Sequence, residues 1–284
     1  RRPPRSTRYF TLFPYTTLFR SLREICGLDQ GFSHGRGGSM HLQWIEAGAI
    51  GTNAIVGGGV PLAAGSAWSH KHAGTDDVAV TYFGDGATSQ GDVNEAMVFA
   101  SSFQAPVVFV CSNNQWAISE PVTVQSRFPI AGRAPGFGIP SLRVNGNDVV
   151  ACTAAMRWAL DHARRGGGPV FIEAVTYRMG PHTTSDDPTR YRDKEEVERW
   201  RARDPLLRLE AHLRRIGAFD DAFDAEVAAA AEAFAAEMRD AVLTAKTRPA
   251  IEVLDDVYAE PHSSLARQRE RFAAYLDGFA DEEA

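Results

Sequence analysis

The chain reads as an α/β fold: a mainly parallel sheet flanked by helices, followed by a C-terminal helical segment. Three features predict it. The stretch Val78–Ser119 opens with strand formers, breaks at Gly84-Asp85-Gly86, runs through a helix-compatible segment and re-enters an apolar run that stops at Asn113-Asn114. That is the pattern of a β-turn-α-β unit. Two later apolar runs, Ser141–Val144 and Pro169–Thr176, are separated by a further helical segment. From Asp193 onward, apolar residues recur at spacings of three and four, as amphipathic helices require.

Taken in order, residues 1–21 do not match the rest. They carry five arginines, no acid, a near-repeat of Thr-Leu-Phe and no initiating Met. Pro3, Pro4 and Pro14 break any amphipathic helix, so the stretch reads as a non-native or disordered extension, with a targeting peptide as the competing reading. Leu22–His41 holds Gly31, Gly35, Gly37 and Gly38 and predicts an irregular loop. Gly48–Trp68 starts with turn residues and becomes a small-residue helix after Gly57-Gly58-Gly59, suited to close packing on a sheet.

After the central unit, Glu120–Pro140 is rich in Pro and Gly and predicts a long loop. Asn147 or Asp148 caps a helix that runs to about Arg165, with Trp158 and Leu160 among its packing residues; Gly166-Gly167-Gly168 ends it. The strand Pro169–Thr176 then delivers Tyr177-Arg178-Met179-Gly180-Pro181-His182 to the sheet edge. In Thr183–Arg192, Asp186 or Asp187 is placed to pair with Arg190 or Arg192 and hold the loop closed. His262 falls in an exposed loop before a final helix.

A chain of 284 residues with 44% hydrophobic content can bury a full core. The formal net charge of −6 excludes the basic face that non-specific nucleic-acid binding needs. No run of about 18 apolar residues marks a membrane span. Cys26, Cys111 and Cys152 are too few and too scattered for a disulfide framework or a paired-ligand zinc site, and read as free thiols of a cytosolic protein.

The chemistry concentrates at the strand exits. In an open parallel sheet, ligands sit beyond the carboxyl ends of the strands. Asp85 offers a hard oxygen there, and Gly84 and Gly86 let backbone approach a bulky group and allow positive φ. Asn114 adds an amide oxygen, with backbone carbonyls just after it. One carboxylate, one amide, one carbonyl and a diphosphate complete an octahedron around Mg²⁺. Gly-Asp-Gly alone is most often a plain turn; its pairing with Asn-Asn after the next strand is the informative feature. Arg178 supplies a planar fork for phosphate oxygens, and His182 brings an imidazole, a side chain able to donate or accept a proton.

This pairing resembles the thiamine-diphosphate signature. Its surroundings are similar to the alpha subunit of the decarboxylating component of 2-oxo acid dehydrogenase complexes. Gly35-Arg36-Gly37-Gly38-Ser39-Met40-His41, Ile55-Val56-Gly57 and Tyr177–Asp187 carry the likeness, which runs from about Leu22 to the C-terminus.

The resemblance implies a thiamine-diphosphate-binding domain over residues 22–192, truncated at its N-terminus, and a helical region over 193–284 that packs on it and on a partner subunit. It implies Mg²⁺ held by Asp85, Asn114 and the Trp116 carbonyl, and cofactor contacts at Ala54, Val56, Gly86, Ala87, Arg178 and His182. His182 is the implied catalytic residue, orienting the acyl group or assisting its transfer, and the loop with His41 is implied to lie on the cofactor-proximal surface.

The activating glutamate of such enzymes comes from a beta subunit, so the resemblance implies an α2β2 heterotetramer, inactive without its partner, that passes an acyl group to a lipoyl-bearing transacylase. A bacterial cytoplasmic setting is expected ahead of a mitochondrial matrix. In mitochondrial relatives a serine is phosphorylated where this chain has Thr183.

Tyr82–Ala87, Ala117-Ile118-Ser119, Pro135–Ile139 and Thr184–Asp187 lean towards a branched-chain substrate, while Gly180-Pro181-His182 and Asp186–Arg192 also resemble bacterial pyruvate enzymes. Gly57-Gly58-Gly59 lacks the hydroxyl and amide groups that some branched-chain enzymes use for potassium. Two other classes remain: a self-contained transketolase-like enzyme, marked by activity without a partner, and a non-catalytic nucleotide-diphosphate module, marked by stabilisation with ATP.

Overall fold

The computed structural model describes residues 16–279. Most of the expected extension at 1–21 lies outside that range, but its end is helical: α1 (Thr16–Ile25) crosses the expected boundary. The chain forms two compact units, one of Asn53–Ala228 and one of the chain on either side of it.

In the flanking unit, Phe19 of α1 meets Phe234 edge-on, with ring centroids 5.9 Å apart. The Gly-rich segment after α1 is irregular, as expected, yet it is strongly held. Glu24, fully buried, accepts backbone N–H bonds from Ser33 (2.7 Å), Gly35 (3.0 Å) and Gly37 (2.6 Å). A Cβ on Gly31 would lie 2.3 Å from Glu24 Oε2, and one on Gly37 would lie 2.4 Å from the His41 carbonyl oxygen. Those glycines are required by close approach. Arg36 pairs with Asp256, and Arg248 pairs with Asp256 and Glu252, tying the loop to the segment before the last helix.

In the central unit, α2 (Gly59–His72) precedes β1 (Ala79–Gly84), α3 (Gly91–Phe103) and β2 (Val107–Asn113). A small hairpin, β3 (Trp116–Ala117) and β4 (Glu120–Pro121), leads into the one-turn helix α4 (Val122–Gln125). Then come β5 (Ser141–Asn145), α5 (Val149–His162) and β6 (Val170–Val175). The helices α6 (Lys194–Arg201), α7 (Pro205–Arg215), α8 (Asp221–Leu243) and α9 (Ser263–Asp277) follow along the chain. The first two belong with the sheet, in the same unit.

The sheet has the order β1-β2-β6-β5, and every pairing in it is parallel. In register, Gly84 lies beside Ser112, and Asn113 beside Val175, so the exits of β1, β2 and β6 fall at one edge. β2 lies inside the sheet, and its run Val107–Cys111 is apolar because both of its faces are covered. Val107, Phe109 and Cys111 pack with Val60, Ala64, Val93, Met97, Ile130 and Phe171 on one face. Val108 and Val110 pack with Ala155, Ala159 and Ile172 on the other. The connections through α3 and α5 therefore lie on opposite faces and approach β2 and β6 from opposite sides. That divergence opens a crevice beyond the carboxyl ends of these two strands.

Some local expectations change. Asp148 caps α5, its Oδ1 accepting from Val150 and Ala151 N–H. Asn147 instead accepts from Thr176 Oγ1 (2.6 Å) and donates to the Arg203 carbonyl (2.9 Å). The α-helix ends at His162 and passes into a π-turn over Ala163–Gly167, where Gly166 reaches φ 81°. Trp158 does not enter the core: it is 41% exposed and stacks on His162, because its position falls off the stripe of Ala155 and Ala159 that faces the sheet. Within Glu120–Pro140 the chain is turned into β4, α4 and a 3-10 segment at Ile130–Phe137, whose Ile130 and Ala134 are buried.

Candidate active site

β1 ends at Gly84, and the chain tightens at once into a 3-10 turn over Asp85–Ser89 that carries Asp85 inward, to 1% exposure. Thr88 Oγ1 closes the turn by donating to the Asp85 carbonyl at 2.6 Å. Gln125 Nε2 reaches Asp85 Oδ2 at 3.2 Å from α4. Burial pushes the Asp85 carboxyl up from the ordinary carboxylate range; its own backbone N–H, the Gln125 amide, the Asn114 backbone N–H and the Arg178 charge pull it partly back. The Asn114 backbone N–H, at the exit of the neighbouring strand, is thus one of the groups that favour the charged Asp85 carboxylate.

The glycines beside Asp85 differ from expectation. Gly84 is extended, with φ −79°, and neither Gly84 nor Gly86 takes a positive φ. Gly86 is needed for space: a Cβ there would lie 2.7 Å from the Ala117 Cβ. Ala87 is buried beneath the turn.

On the β2 side, two consecutive Asx turns shape the exit. Asn113 Oδ1 accepts from Gln115 N–H at 3.1 Å, and Asn114 Oδ1 accepts from Trp116 N–H at 3.1 Å. Gln115 and Ile118 sit in left-handed conformations, at φ 74° and 56°, a cost that surrounding bonds must offset. Those bonds come from the end of β6. Arg178 N–H donates to the Asn114 carbonyl (3.1 Å), and Arg178 Nη1 to the Trp116 carbonyl (3.0 Å). Arg178 Nη2 donates to the Ile118 carbonyl and to Tyr191 Oη.

His182 is exposed, with Nδ1 accepting from Arg178 Nη1 at 3.3 Å and its backbone N–H donating to Asp186 Oδ2 at 2.7 Å. The expected pairing of Asp186 or Asp187 with Arg190 or Arg192 does not form. Asp186 instead accepts from Tyr191, Asp187 caps the turn at Thr189, and Arg192 donates to the carbonyls of Arg178, Met179 and Gly180. Backbone carbonyls thus take both terminal nitrogens of Arg192. The Trp116 ring lies against Tyr191, centroids 5.3 Å apart.

The fold therefore gathers Asp85, Gly86, Ala87, Asn114, Trp116, Arg178 and His182 around one edge. Ala54 and Val56 lie on the exposed loop before α2, and among the described residues no hydrogen bond joins them to Asp85 or Asn114. That loop abuts the start of α3, since a Cβ on Gly57 would lie 3.2 Å from Gln90 Cβ. His41 belongs to the flanking unit. Gln125 and Glu173 were not singled out by sequence, and Asn113 only as the first half of Asn113-Asn114; for Glu173 a lone acid inside the apolar run Pro169–Thr176 was the one available signal.

These residues fit a cation bridged to a diphosphate. Among the described residues no three His, Cys, Asp or Glu side chains converge; the oxygens that this edge offers are those of the Asp85 carboxylate, the Asn114 amide and the Trp116 carbonyl, hard donors of the kind that Mg²⁺ takes. The carboxylate is buried beside only partial compensation, and Arg178 Nε is buried with no hydrogen-bond partner among the described residues. Both are groups that a cation and an anion would satisfy. Among the described residues no helix is long and apolar enough to cross a membrane.

Comparison with known proteins finds a match to the family model described as dehydrogenase E1 component, over residues 12–253. The 3-methyl-2-oxobutanoate dehydrogenase subunit alpha of Mycobacterium tuberculosis H37Rv is 49% identical over 215 residues, covering 75% of this chain and 59% of that protein. The pyruvate dehydrogenase E1 component subunit alpha of Acholeplasma laidlawii is 42% identical over 233 residues, covering 80% and 67%. The 2-oxoisovalerate dehydrogenase subunit alpha of Pseudomonas aeruginosa PAO1 is 40% identical over 207 residues, covering 69% and 50%. The chain thus spans between half and about two thirds of the length of these relatives. A solved thiamin diphosphate-dependent enzyme from Mycobacterium smegmatis overlaps 46% of the chain and 25% of its own length at 25% identity, with a TM-score of 0.38, too slight to carry weight.

Proposed function

The chain belongs to the dehydrogenase E1 component family, and from that premise we propose that it is the alpha subunit of a branched-chain 2-oxo acid dehydrogenase. In this reading the enzyme oxidatively decarboxylates a 2-oxo acid such as 2-oxoisovalerate and passes the acyl group to a lipoyl group on a transacylase. The observation that carries it is the placement of buried Asp85 and of Asn114 at the exits of two neighbouring parallel strands, with Arg178 N–H bonded to the Asn114 carbonyl at the same edge. Similarity to two proteins named for the branched-chain substrate supports the choice.

When bound, thiamine diphosphate supplies the carbon nucleophile and the electron sink for loss of carbon dioxide. Asp85, the Asn114 amide and the Trp116 carbonyl would hold Mg²⁺, and Gly86 and Ala87 would face the diphosphate. Arg178 would direct its free Nε–H towards phosphate oxygens. The backbone of Ala54 and Val56 would meet the pyrimidine end. His182, whose Nδ1 already accepts from Arg178, keeps Nε2 as the nitrogen available to donate to an acyl oxygen or to the lipoyl sulfur. Activation of the pyrimidine falls to a glutamate of a beta subunit in an α2β2 assembly, set in a bacterial cytoplasm.

Pyruvate is the second substrate reading, favoured by the 42% identity to the Acholeplasma laidlawii protein. Co-expression with candidate beta subunits, followed by turnover on 2-oxoisovalerate and on pyruvate, separates the two. A larger kcat/KM for pyruvate would replace the branched-chain assignment. Turnover by this chain alone would replace the alpha-subunit reading.

A further inference from the structure

Glu173 is fully buried in the middle of the sheet, on β6, and is not part of the crevice surface. A carboxylate in such a place is costly unless its oxygens are bonded. Here Oε1 accepts from Asn113 Nδ2 at 2.8 Å and Oε2 from Ala131 N–H at 2.8 Å, while Arg143 Nε stands 3.5 Å from Oε1. The two bonds lead in different directions.

Through Asn113, Glu173 reaches the Asn114 side of the site. With Nδ2 committed to Glu173, Asn113 must present Oδ1 to Gln115 N–H, and that Asx turn sets the start of the Asn114–Trp116 bend, in which Gln115 is left-handed. Through Ala131, Glu173 anchors the 3-10 segment that carries Arg133. Arg133 in turn donates to the carbonyls of Thr88 (2.8 Å) and Gln125 (3.0 Å), the turn and the helix that border Asp85. One buried carboxylate therefore braces both halves of the oxygen set.

We propose that Glu173 is a positioning residue for the cation site, setting the amide orientation of Asn113 and the spacing between Asp85 and the Asn114–Trp116 turn. This rests on the reading of the site given above. Its chemistry is specific to a carboxylate. In Glu173→Gln the new NH₂ must face either Asn113 Nδ2 or Ala131 N–H, two donors. If Asn113 flips to accept it, Oδ1 is withdrawn from Gln115 and the turn loses its closing bond.

The swapped pair Asn113→Asp with Glu173→Gln restores the bonds to Ala131, to residue 113 and to Gln115, and gives up only the ion pair with Arg143. The amide introduced on β6 donates to one oxygen of the carboxylate introduced on β2 and accepts from Ala131 N–H, while the other oxygen of that carboxylate accepts from Gln115 N–H.

The test uses the assembled alpha–beta protein, titrated with Mg²⁺ at fixed thiamine diphosphate, with binding read by calorimetry and the metal-free melting temperature read in parallel. E173Q should raise the half-saturating Mg²⁺ concentration by about tenfold to a hundredfold, the usual consequence of losing an outer partner of a metal ligand. N113D/E173Q should bring it back to within about threefold of the wild type, the size expected when complementarity is restored.

Unchanged Mg²⁺ affinity in a folded E173Q overturns the proposal, and so does a folded double variant that stays as weak as the single one. Should E173Q fail to assemble, the double variant alone decides. A wild-type assembly that binds no Mg²⁺ with thiamine diphosphate would instead overturn the cofactor reading itself, so the two failures are distinguishable.

Discussion

Tyr191 donates its hydroxyl to Asp186 Oδ2 at 2.6 Å and accepts from Arg178 Nη2 at 3.0 Å, so one phenol joins the loop after β6 to the arginine that buttresses the Trp116 turn. Asp186 also accepts from His182 N–H, and so the latch holds the backbone of the predicted catalytic histidine. Replacing Tyr191 by Phe should free the loop: limited proteolysis between Gly180 and Arg190 is expected to quicken several-fold, the response of a segment whose local opening has become easier. Equal cleavage rates would show that the latch does not order the loop.

The same latch should be sensitive to acid. The His182 backbone N–H, then the Tyr191 hydroxyl, hold the Asp186 carboxyl below the usual carboxylate range. A depressed folded-state value means the stabilisation is present above the unfolded value, about 3.9, and is lost as pH falls through the folded one. Hydrogen exchange at His182 N–H, corrected for intrinsic rates, should stay protected from pH 7 to about 5 and lose protection only below about 4. Loss of protection already at pH 6 would contradict this linkage.

Asp85→Ala should abolish magnesium-dependent thiamine diphosphate binding in the assembled enzyme, raising the half-saturating concentration by more than about a hundredfold, beyond the effect of losing an outer partner. Calorimetry on the alpha–beta assembly measures it. An unchanged requirement for magnesium would remove Asp85 from the site.

His182→Ala should separate chemistry from binding. Its ring touches Arg178 and lies exposed. Overall flux to the lipoyl acceptor is expected to drop on the order of a hundredfold, the range for a lost proton-transfer group, with cofactor affinity within a few-fold. Parallel loss of both would contradict a role for His182 in acyl transfer.

Glu24→Ala should destabilise the flanking unit. It strips the partner from three backbone N–H groups, those of Ser33, Gly35 and Gly37. Unsatisfied buried donors cost roughly 1–3 kcal/mol each without full additivity, so a loss of about 3 kcal/mol is expected in chemical denaturation. Gly37→Ala should act in the same direction through its clash with the His41 carbonyl. A loss below about 1 kcal/mol for Glu24→Ala would mean that water replaces the carboxylate.

Sequence alone determined the order and type of the main elements, because strand and helix periods and the breaks at Gly84-Asp85-Gly86 and Asn113-Asn114 are local properties of the chain. It also determined which site residues stand at strand exits, since Asp85 and Asn114 each follow a strand directly and Arg178 comes three residues after one. The reach of Gln125 to Asp85, the partners of Asp186, the outward turn of Trp158 and the double bracing by Glu173 were decided only by the tertiary structure.

Those features depend on which strands become neighbours. Glu173 and Asn113 lie 60 positions apart along the chain and meet because β6 inserts beside β2. A side chain's partner across such a gap is set by packing, and local sequence carries no record of it.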